Sequence, residues 1–455
     1  MRILVVGGGG REHALVRAIR RSALVTRRQD LACVPGNAGI ARDAECLPLG
    51  PGGMSDAGAL ADQADAWRAD LTIVGPELPL HAGLADELAR RGRPVFGATR
   101  AAARLEWSKV FAKEFMARHG IPTAAFRVVA DPDEARAWLE SREASWPIVV
   151  KADGLAAGKG VVIARDRNAA IEAASAMLAG RFGEAGRRVV LEQCLQGIEV
   201  SFFALSDGER VIALGTCQDY KRAGDGDTGP NTGGMGAFSP STEVDGELTR
   251  RVMEQVILPA IRGMAAEGNA YRGVLYAGLM LVPTPAGGVD PMTLEFNARF
   301  GDPETQVLLP RLRSDVVTLF ADAAAGRLSE DGARIAAASE WSACVVMAAR
   351  GYPEAPELGD AIHGLEEAER LAGTEVLHAG TRMERGEAAP RVVTAGGRVL
   401  AVSALGADLR EAVRRAYDGV ARISFEGMHH RRDIGRDAVS RLVARGQLVA
   451  DRGRA

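Results

Sequence analysis

The segment MTLEFNARFGDPETQ (292–306) sets Glu295, Asn297 and Arg299 at alternate positions. In an extended strand alternate residues share a face. Leu294, Phe296, Ala298 and Phe300 are then expected to face a core, with Thr293, Glu295, Asn297 and Arg299 on the opposite side. A carboxylate beside an amide oxygen is a pair of hard donors, suited to Mg²⁺ that bridges nucleotide phosphates. An arginine one step further can meet a transferred phosphoryl group or a substrate anion through its forked N–H groups. Asp302 and Glu304 follow in a turn, placed to tie down Arg299 or to bind an amine. A solvated strand face of mixed charge competes with this reading.

A second cluster, PIVVKADGLAAGKGVVIA (147–164), ends one strand at Lys151, passes Gly154, Gly158, Lys159 and Gly160, and enters another strand. It is not a Walker A loop, because Gly160 rather than Ser or Thr follows the lysine and no helix follows directly. A strand–loop–strand unit with two lysines suits a cover over a triphosphate. Glycine permits close backbone approach and lysine neutralises phosphate charge. Taken alone, the segment reads equally as a mobile surface hairpin. Together with a hard-ligand strand it points to ATP phosphoryl transfer.

Gly7-Gly8-Gly9-Gly10 after the first apolar run invites a dinucleotide reading, but the last fingerprint position falls on Glu12 or His13. The second strand also ends in Pro35-Gly36-Asn37 and not in a ribose-binding acid. A nicotinamide or flavin cofactor is therefore not expected. The turn can still offer backbone N–H groups to a phosphate, with Arg11 adding charge, or it is a tight turn only. His429-His430 reads as a surface pair and not a metal site.

These clusters need rigid elements to hold them. Ile3–Val6, Leu31–Val34, Leu71–Val74 and Val95-Phe96 alternate with helical stretches, among them Asp56–Trp67 and Gly83–Arg90, which implies a doubly wound parallel sheet. Its ligand would lie at the carboxyl ends of the strands, where the Gly, Asn and Glu turns fall. A helix is expected from Ser108 to Arg118, and another opens with Asp131-Pro132 and Glu134 as cap signals. Strands, a long glycine-rich loop and a helix near 247–266 follow. Ala343–Ala348, Val376–His378 and Val399–Ala404, with a helix at Leu409–Val420, read as a small separate domain.

A chain of 455 residues exceeds one ordinary core, so two to four domains are expected. The net charge of −3 argues against a broad surface for nucleic acid or anionic lipid. Five scattered cysteines without a Cys-x-x-Cys pair argue against a disulfide framework or structural zinc. MRILVVGGGG lacks the marks of a signal peptide, and no apolar stretch approaches the roughly 18–20 residues of a membrane helix. A cytoplasmic protein is expected.

At these residues the sequence resembles the ATP-grasp enzymes, and among them the phosphoribosylamine–glycine ligase family. GREHAL (10–15), PGNAG (35–39), LTIVGPE (71–77), KADGLAAGKGV (151–161), DTGPNTGGMGAFSP (227–240), GVLYAGLM (273–280) and RFGDPETQ (299–306) carry the likeness. HAGT (378–381), GGRVL (396–400) and RRDIG (431–435) extend it to the C-terminal part. The resemblance implies an α/β and α+β multidomain fold. A substrate-binding domain would span 1–106, two ATP-grasp subdomains 107–195 and 196–328, and a C-terminal mixed domain 329–455.

The implied reaction joins glycine to 5-phosphoribosylamine with ATP and Mg²⁺, Mn²⁺ being an alternative metal. A monomer or weak dimer is expected. By resemblance Glu295 and Asn297 hold the metal, Lys109 and Lys151 contact the ATP phosphates, and Gly154, Gly158, Lys159 and Gly160 belong to the lid. Glu192, Gln193, Cys194 and Leu195 form the linker whose backbone reads adenine, and Glu199 holds the ribose. Gly8, Gly9, Arg11, Glu12, Asn37, Gly75, Pro76 and Glu77 receive the phosphoribosyl group. Asp219, Lys221, Arg222, Asn231, Thr232 and Asp302 enclose glycine and the amine, or the loop from 219 to 240 is structural only. Arg299 and Lys151 are the candidates to stabilise the transferring oxygens. The strand before the metal strand, LYAGLMLV (275–282), has no carboxylate for a second metal.

Overall fold

The computed structural model describes residues 1–141, 146–154, 160–181, 183–329, 335–385 and 390–449. Strands β1 (Ile3–Gly7), β2 (Leu31–Pro35), β3 (Glu45–Cys46), β4 (Leu71–Val74) and β5 (Val95–Phe96) form a parallel sheet in the order β3-β2-β1-β4-β5. Leu4 and Val6 join a core that includes Leu60 and Ala64 of the helix Ala57–Trp67. Ile3 and Val5 join Leu15 and Ile19 of the helix Gly10–Arg20 on the other face. Burial on both faces explains why these strands are continuous apolar runs without alternation. The order reverses between β1 and β4, so the turns after Gly7 and after Val74 border one crevice.

Strands β6 (Phe126–Val129), β7 (Ile148–Ala152), β8 (Val161–Ala164) and β9 (Val189–Gln193) build an antiparallel sheet ordered β6-β9-β7-β8. The helices Pro132–Glu140 and Arg167–Ala176 cover it, sharing Val129, Leu139, Val150, Ala170 and Leu191 in one core. The Asp131 carboxylate accepts from Asp133 N and Glu134 N, the cap expected with proline at the first helical position.

The chain then runs through β10 (Ile198–Asp207), β11 (Val211–Asp219), the separate hairpin β12 (Arg222–Gly224) and β13 (Thr228–Asn231), then β14 (Gly236–Ser239), β15 (Arg272–Pro283) and β16 (Val289–Asn297). It continues with β17 (Trp341–Ala348), β18 (Thr374–His378), the hairpin β19 (Thr381–Glu384) and β20 (Arg391–Thr394), and β21 (Arg398–Gly406). Leaving out the two hairpins, eight strands pair in the order β16-β15-β10-β11-β14-β17-β21-β18. The C-terminal strands thus extend the central sheet through β14 and β17, where the sequence reads as a separate domain. The helix Leu409–Val420 packs on this extension, with Ala416 and Val420 beside Val345 and Val402.

One irregularity matters to the site. Leu279 pairs with Thr293 and Gly278 with Glu295, so Leu294 is an extra residue in β16, a β-bulge. Phe296, Ala298 and Phe300 are buried as alternation demands, but Thr293 is fully buried and Leu294 only half-buried. The expected strict alternation therefore stops at Glu295.

Candidate active site

The helix Lys109–Arg118 starts where Ser108 Oγ accepts from Phe111 N and donates to Asp153 Oδ1 at 2.9 Å. Asp153 also accepts from Val110 N at 3.2 Å and pairs with Arg188 at 2.8 Å. Lys109 Nζ donates to the Gly154 carbonyl at 3.1 Å, so the helix start is fastened to the first residues of the glycine loop. Gly154 has φ +105°, a conformation that favours glycine. Gly160 is the loop's last residue before β8, its carbonyl accepting from Ala152 N at 2.8 Å. Gly158 and Lys159 lie outside the described residues.

Burial and the nearby Lys151 lower the Lys109 pKa, while Glu295 opposes the shift. Lys151 Nζ lies 2.5 Å from Glu192 Oε2 and donates to the Leu294 carbonyl at 3.4 Å, the carbonyl of the bulged residue. The other oxygen of Glu192 pairs with Lys113, one helical turn after Lys109. Glu192 backbone pairs on both sides, with Phe126 and Val149, and Gln193 N donates to the Ala125 carbonyl at 2.9 Å. The strand ends there, leaving Cys194 and Leu195 past the ladder.

Glu295 lies in a field of cations. Burial works to raise its pKa, but Lys221, Lys151, Lys109 and Arg299 together pull it below the ordinary carboxylate value. Among the described residues none makes a hydrogen bond or ion pair with its carboxylate. Its neighbour Asn297 offers Oδ1 3.4 Å from Arg299 Nη2. An ionised carboxylate and an amide oxygen without strong partners fit a divalent ion. Among the described residues no group of three or more His, Cys, Asp or Glu side chains could hold one. The donors suit Mg²⁺, which keeps waters and takes phosphate oxygens as further ligands. The surrounding lysines match a polyphosphate.

Arg299 is held differently from the expectation. Its Nε lies 3.1 Å from Glu77 Oε2 and its Nη2 lies 2.8 Å from Glu106 Oε1. Asp302 pairs with Arg398 at 3.0 Å and accepts from Gln306 at 2.6 Å, while Glu304 accepts from Ser201 at 3.3 Å. Neither acid of the turn ties Arg299. The parallel sheet supplies Glu77 and the segment before Ser108 supplies Glu106, and the latter also accepts from Ala298 N at 2.7 Å. Burial alone would raise Glu77, but Arg299 and Arg11 hold it down to about 2. Burial raises Glu106.

At the crevice of the parallel sheet, Glu12 organises the turn. Its Oε2 accepts from Gly9 N at 2.7 Å, and its Oε1 lies 2.6 Å from Arg11 Nε. A Cβ on Gly75 would lie 2.1 Å from Glu12 Oε1, and one on Gly8 would lie 2.6 Å from the Gly36 carbonyl. Arg11 also donates to the Phe300 carbonyl at 3.1 Å and is buried. These contacts hold the turn against the segment that follows β16. Asn37 is similarly committed: its Nδ2 donates to Gly8 O and His378 O, and its Oδ1 accepts from Gly39 N and Ile40 N. What this crevice offers a ligand is chiefly backbone around Gly8, Gly9, Gly75 and Pro76.

The loop after β11 closes the remaining side. Lys221 Nζ sits 2.6 Å from Glu199 and 2.9 Å from Asp219. Burial lowers the Lys221 pKa less than the two carboxylates raise it, and burial raises both acids. Thr232 Oγ1 donates to the Lys221 carbonyl at 2.9 Å. Arg222 donates to the Gly229 carbonyl at 2.8 Å, bracing the hairpin, and Asn231 is exposed. The C-terminal part grips this loop. Arg398 donates to the carbonyls of Gly233 and Asp302, and buried Arg431 pairs with Asp227 at 2.6 Å and lies over the Tyr220 ring. His429 Nε2 lies 2.7 Å from the Ala223 carbonyl, a structural contact.

Lys109, Lys151, Glu295, Asn297 and Arg299 therefore come from separated segments to one place. Asn37 and Arg11 stand at the crevice with their polar groups engaged by neighbouring backbone. Lys113, Glu106 and Arg398 are additions from the structure. Lys113 had a signal in its four-residue spacing from Lys109 on one helix face, and Arg398 stood in the GGRVL motif. Glu106 had none.

Family models for phosphoribosylglycinamide synthetase match most of the chain: its N domain at 1–106, its ATP-grasp (A) domain at 107–305 and its C domain at 342–437. The phosphoribosylamine–glycine ligase of Escherichia coli O6:H1 is 48% identical over 446 residues, covering 97% of this chain and 99% of that protein. That of Caulobacter vibrioides is 50% identical over 437 residues, covering 95% and 97%. The crystal structure of the Thermotoga maritima phosphoribosylamine–glycine ligase superposes with a TM-score of 0.80 at 35% identity, over 95% of this chain and 100% of that one. The biotin carboxylase domain of Hydrogenobacter thermophilus 2-oxoglutarate carboxylase, in complex with MgADP, shares the fold at a TM-score of 0.70 and 18% identity, covering 94% and 91%.

Proposed function

The chain belongs to the phosphoribosylglycinamide synthetase family, and from that premise we infer that it joins glycine to 5-phosphoribosylamine, giving glycinamide ribonucleotide, ADP and phosphate. It is an ATP-grasp carboxylate–amine ligase of purine biosynthesis that uses ATP and Mg²⁺. The observation that carries the reading is Glu295: an ionised carboxylate with no direct partner among the described residues, in the field of Lys109, Lys151, Lys221 and Arg299.

Lys109 and Lys151 contact the ATP phosphates under the loop that begins at Gly154 and ends at Gly160. Glu192, Gln193, Cys194 and Leu195 form the adenine linker, and Glu199 holds the ribose. Glu295 and Asn297 would hold Mg²⁺, or Mn²⁺ in its place, which would supply positive charge to offset that of the nucleotide phosphates. The crevice lined by Gly8, Gly9, Arg11, Glu12, Asn37, Gly75, Pro76 and Glu77 takes the phosphoribosyl group. Asp219, Lys221, Arg222, Asn231, Thr232 and Asp302 enclose glycine and the amine.

The glycine carboxylate attacks the γ-phosphorus in line and ADP leaves, giving glycyl phosphate. The phosphoribosylamine nitrogen then attacks the acyl carbon and phosphate departs. No covalent nucleophile of the chain is needed, so its work is positioning and charge stabilisation. Lys151 and Arg299 face the transferring oxygens. The loop over the phosphates keeps water from the acyl phosphate.

Phosphate release from ATP with glycine and phosphoribosylamine, each omitted in turn, tests the assignment. Release is expected only with both; release needing neither, or driven by another acid, would overturn it. Five free cysteines, three of them buried, fit a reducing compartment, and we place the enzyme in the cytoplasm. No helix among the described residues is long and apolar enough to cross a membrane. We propose a monomer or weak dimer, which sedimentation velocity reads directly.

A further inference from the structure

Lys113 has no part in the reaction as described, yet it is a lysine with 2% exposure in the middle of the helix Lys109–Arg118. Buried lysines without a purpose are rare, because taking an ammonium out of water is costly. Its ammonium pairs with Glu192 Oε1 and donates to Thr123 Oγ1 at 2.6 Å. The Thr123 hydroxyl in turn donates to the Thr293 carbonyl at 2.6 Å, next to the bulged Leu294. Lys151 completes the ring through Glu192 Oε2 and the Leu294 carbonyl. Among the described residues Glu192 Oε2 has no aligned hydrogen-bond donor, so its contact with Lys151 is ionic.

We propose that Lys113 is a positioning residue for ATP, sharing the Glu192 carboxylate with Lys151 so that the Lys151 ammonium keeps charge to spare for the nucleotide phosphates. This rests on Lys151 as a phosphate contact. The row holds two cations and one anion, hence a net positive charge beside the glycine loop. Without Lys113 the Glu192 carboxylate belongs to Lys151 alone, the pair becomes neutral, and a phosphate must compete for an ammonium already compensated. In a buried setting that competition is strong because charges are poorly screened. The ring also couples five segments — the helix, the turn at Thr123, β7, β9 and β16 — so Lys113 fixes where Lys151 stands relative to the metal strand.

Lys113→Met is expected to raise the KM for ATP and the Kd for MgADP by about tenfold, a one-unit effect of removing a neighbouring charge, with the KM for glycine unchanged. Lys113→Met with Glu192→Gln is expected to recover most of the nucleotide affinity, since Lys151 is then uncompensated again. In a Lys151→Met background, Lys113→Met is expected to add nothing to the Kd for MgADP. A purely packing role predicts otherwise. Equal loss for ATP and glycine, a double variant weaker than the single, or additivity with Lys151→Met would each overturn the proposal. If Lys151→Met alone leaves MgADP binding intact, the error lies in the reading of Lys151 itself. Should Lys113→Met not fold, Lys113→Gln and Lys113→Arg carry the test. The neutral variant should weaken MgADP binding about tenfold and the charged one should keep the parental Kd, and parental binding by Lys113→Gln would count against the proposal.

Discussion

Glu295 keeps its charge because four cations stand around it, and none of them touches it. Substituting Glu295→Ala should remove the negative group and leave Lys109, Lys151 and Arg299 to face the phosphates alone. Loss of kcat by at least about 10²-fold is expected if the contribution resembles that of one preorganised electrostatic group. Magnesium-dependent turnover at the parental rate would contradict the metal assignment. The residue types here were readable from sequence, because hard donors at alternate positions and lysines around a glycine loop carry their chemistry locally. Partners were not readable. Arg299 is held by Glu77 and Glu106, which lie 222 and 193 positions away along the chain, while the nearby Asp302 faces Arg398. Lys113 needed Glu192 on another strand before its position meant anything.

Elements with local signals formed where they were expected. Ser108 caps one helix and Asp131 another through side-chain oxygens on free N–H groups, and the helix Leu409–Val420 has the expected ends. The bulge at Leu294 was illegible because it depends on register with β15, and a strand's own sequence does not state its partner's pleat. The turn after β4 shows how tightly two elements can interlock. A Cβ on Gly75 would meet the carboxylate that caps Gly9, so Gly75→Ala should displace Glu12 and distort the crevice. An overpacking cost of roughly 1–3 kcal/mol is expected, with a raised KM for phosphoribosylamine and an unchanged KM for ATP. A parallel rise in both constants would mean that the turn supports the whole fold and not the crevice alone.

At the scale of the molecule, the parallel sheet and the C-terminal strands meet through two buried histidines. His378 N donates to His13 Nδ1 at 2.7 Å, and the His378 ring bonds Thr381 through Nδ1. Burial, helped by His13, Arg42 and Arg17, holds the His378 pKa down to about 3. The unfolded chain would protonate this residue near pH 6.5, whereas the folded chain refuses the proton until about pH 3. The unfolded state therefore binds more protons across that window, and stability must fall as the pH drops through it. The thermal midpoint of the parent should fall more between pH 7 and pH 4.5 than that of His378→Asn. Equal falls would show that another group governs acid sensitivity. Composition and motif order indicated several units, but neither could show that β14 and β17 join two of them into one sheet, since that pairing spans about 100 residues.

That shared sheet imposes an order on synthesis. While the chain emerges, β14 has its short pairing with β11 and nothing on its other side until β17 has been made. At ribosomal speed the delay is on the order of ten seconds, long enough for an open strand edge to recruit another nascent chain. A chain ending before Trp341 should accordingly scatter light and associate, while the full-length protein does not. The last quarter of the molecule acts as a closing clasp, delivered late, on an edge that the first three quarters leave exposed.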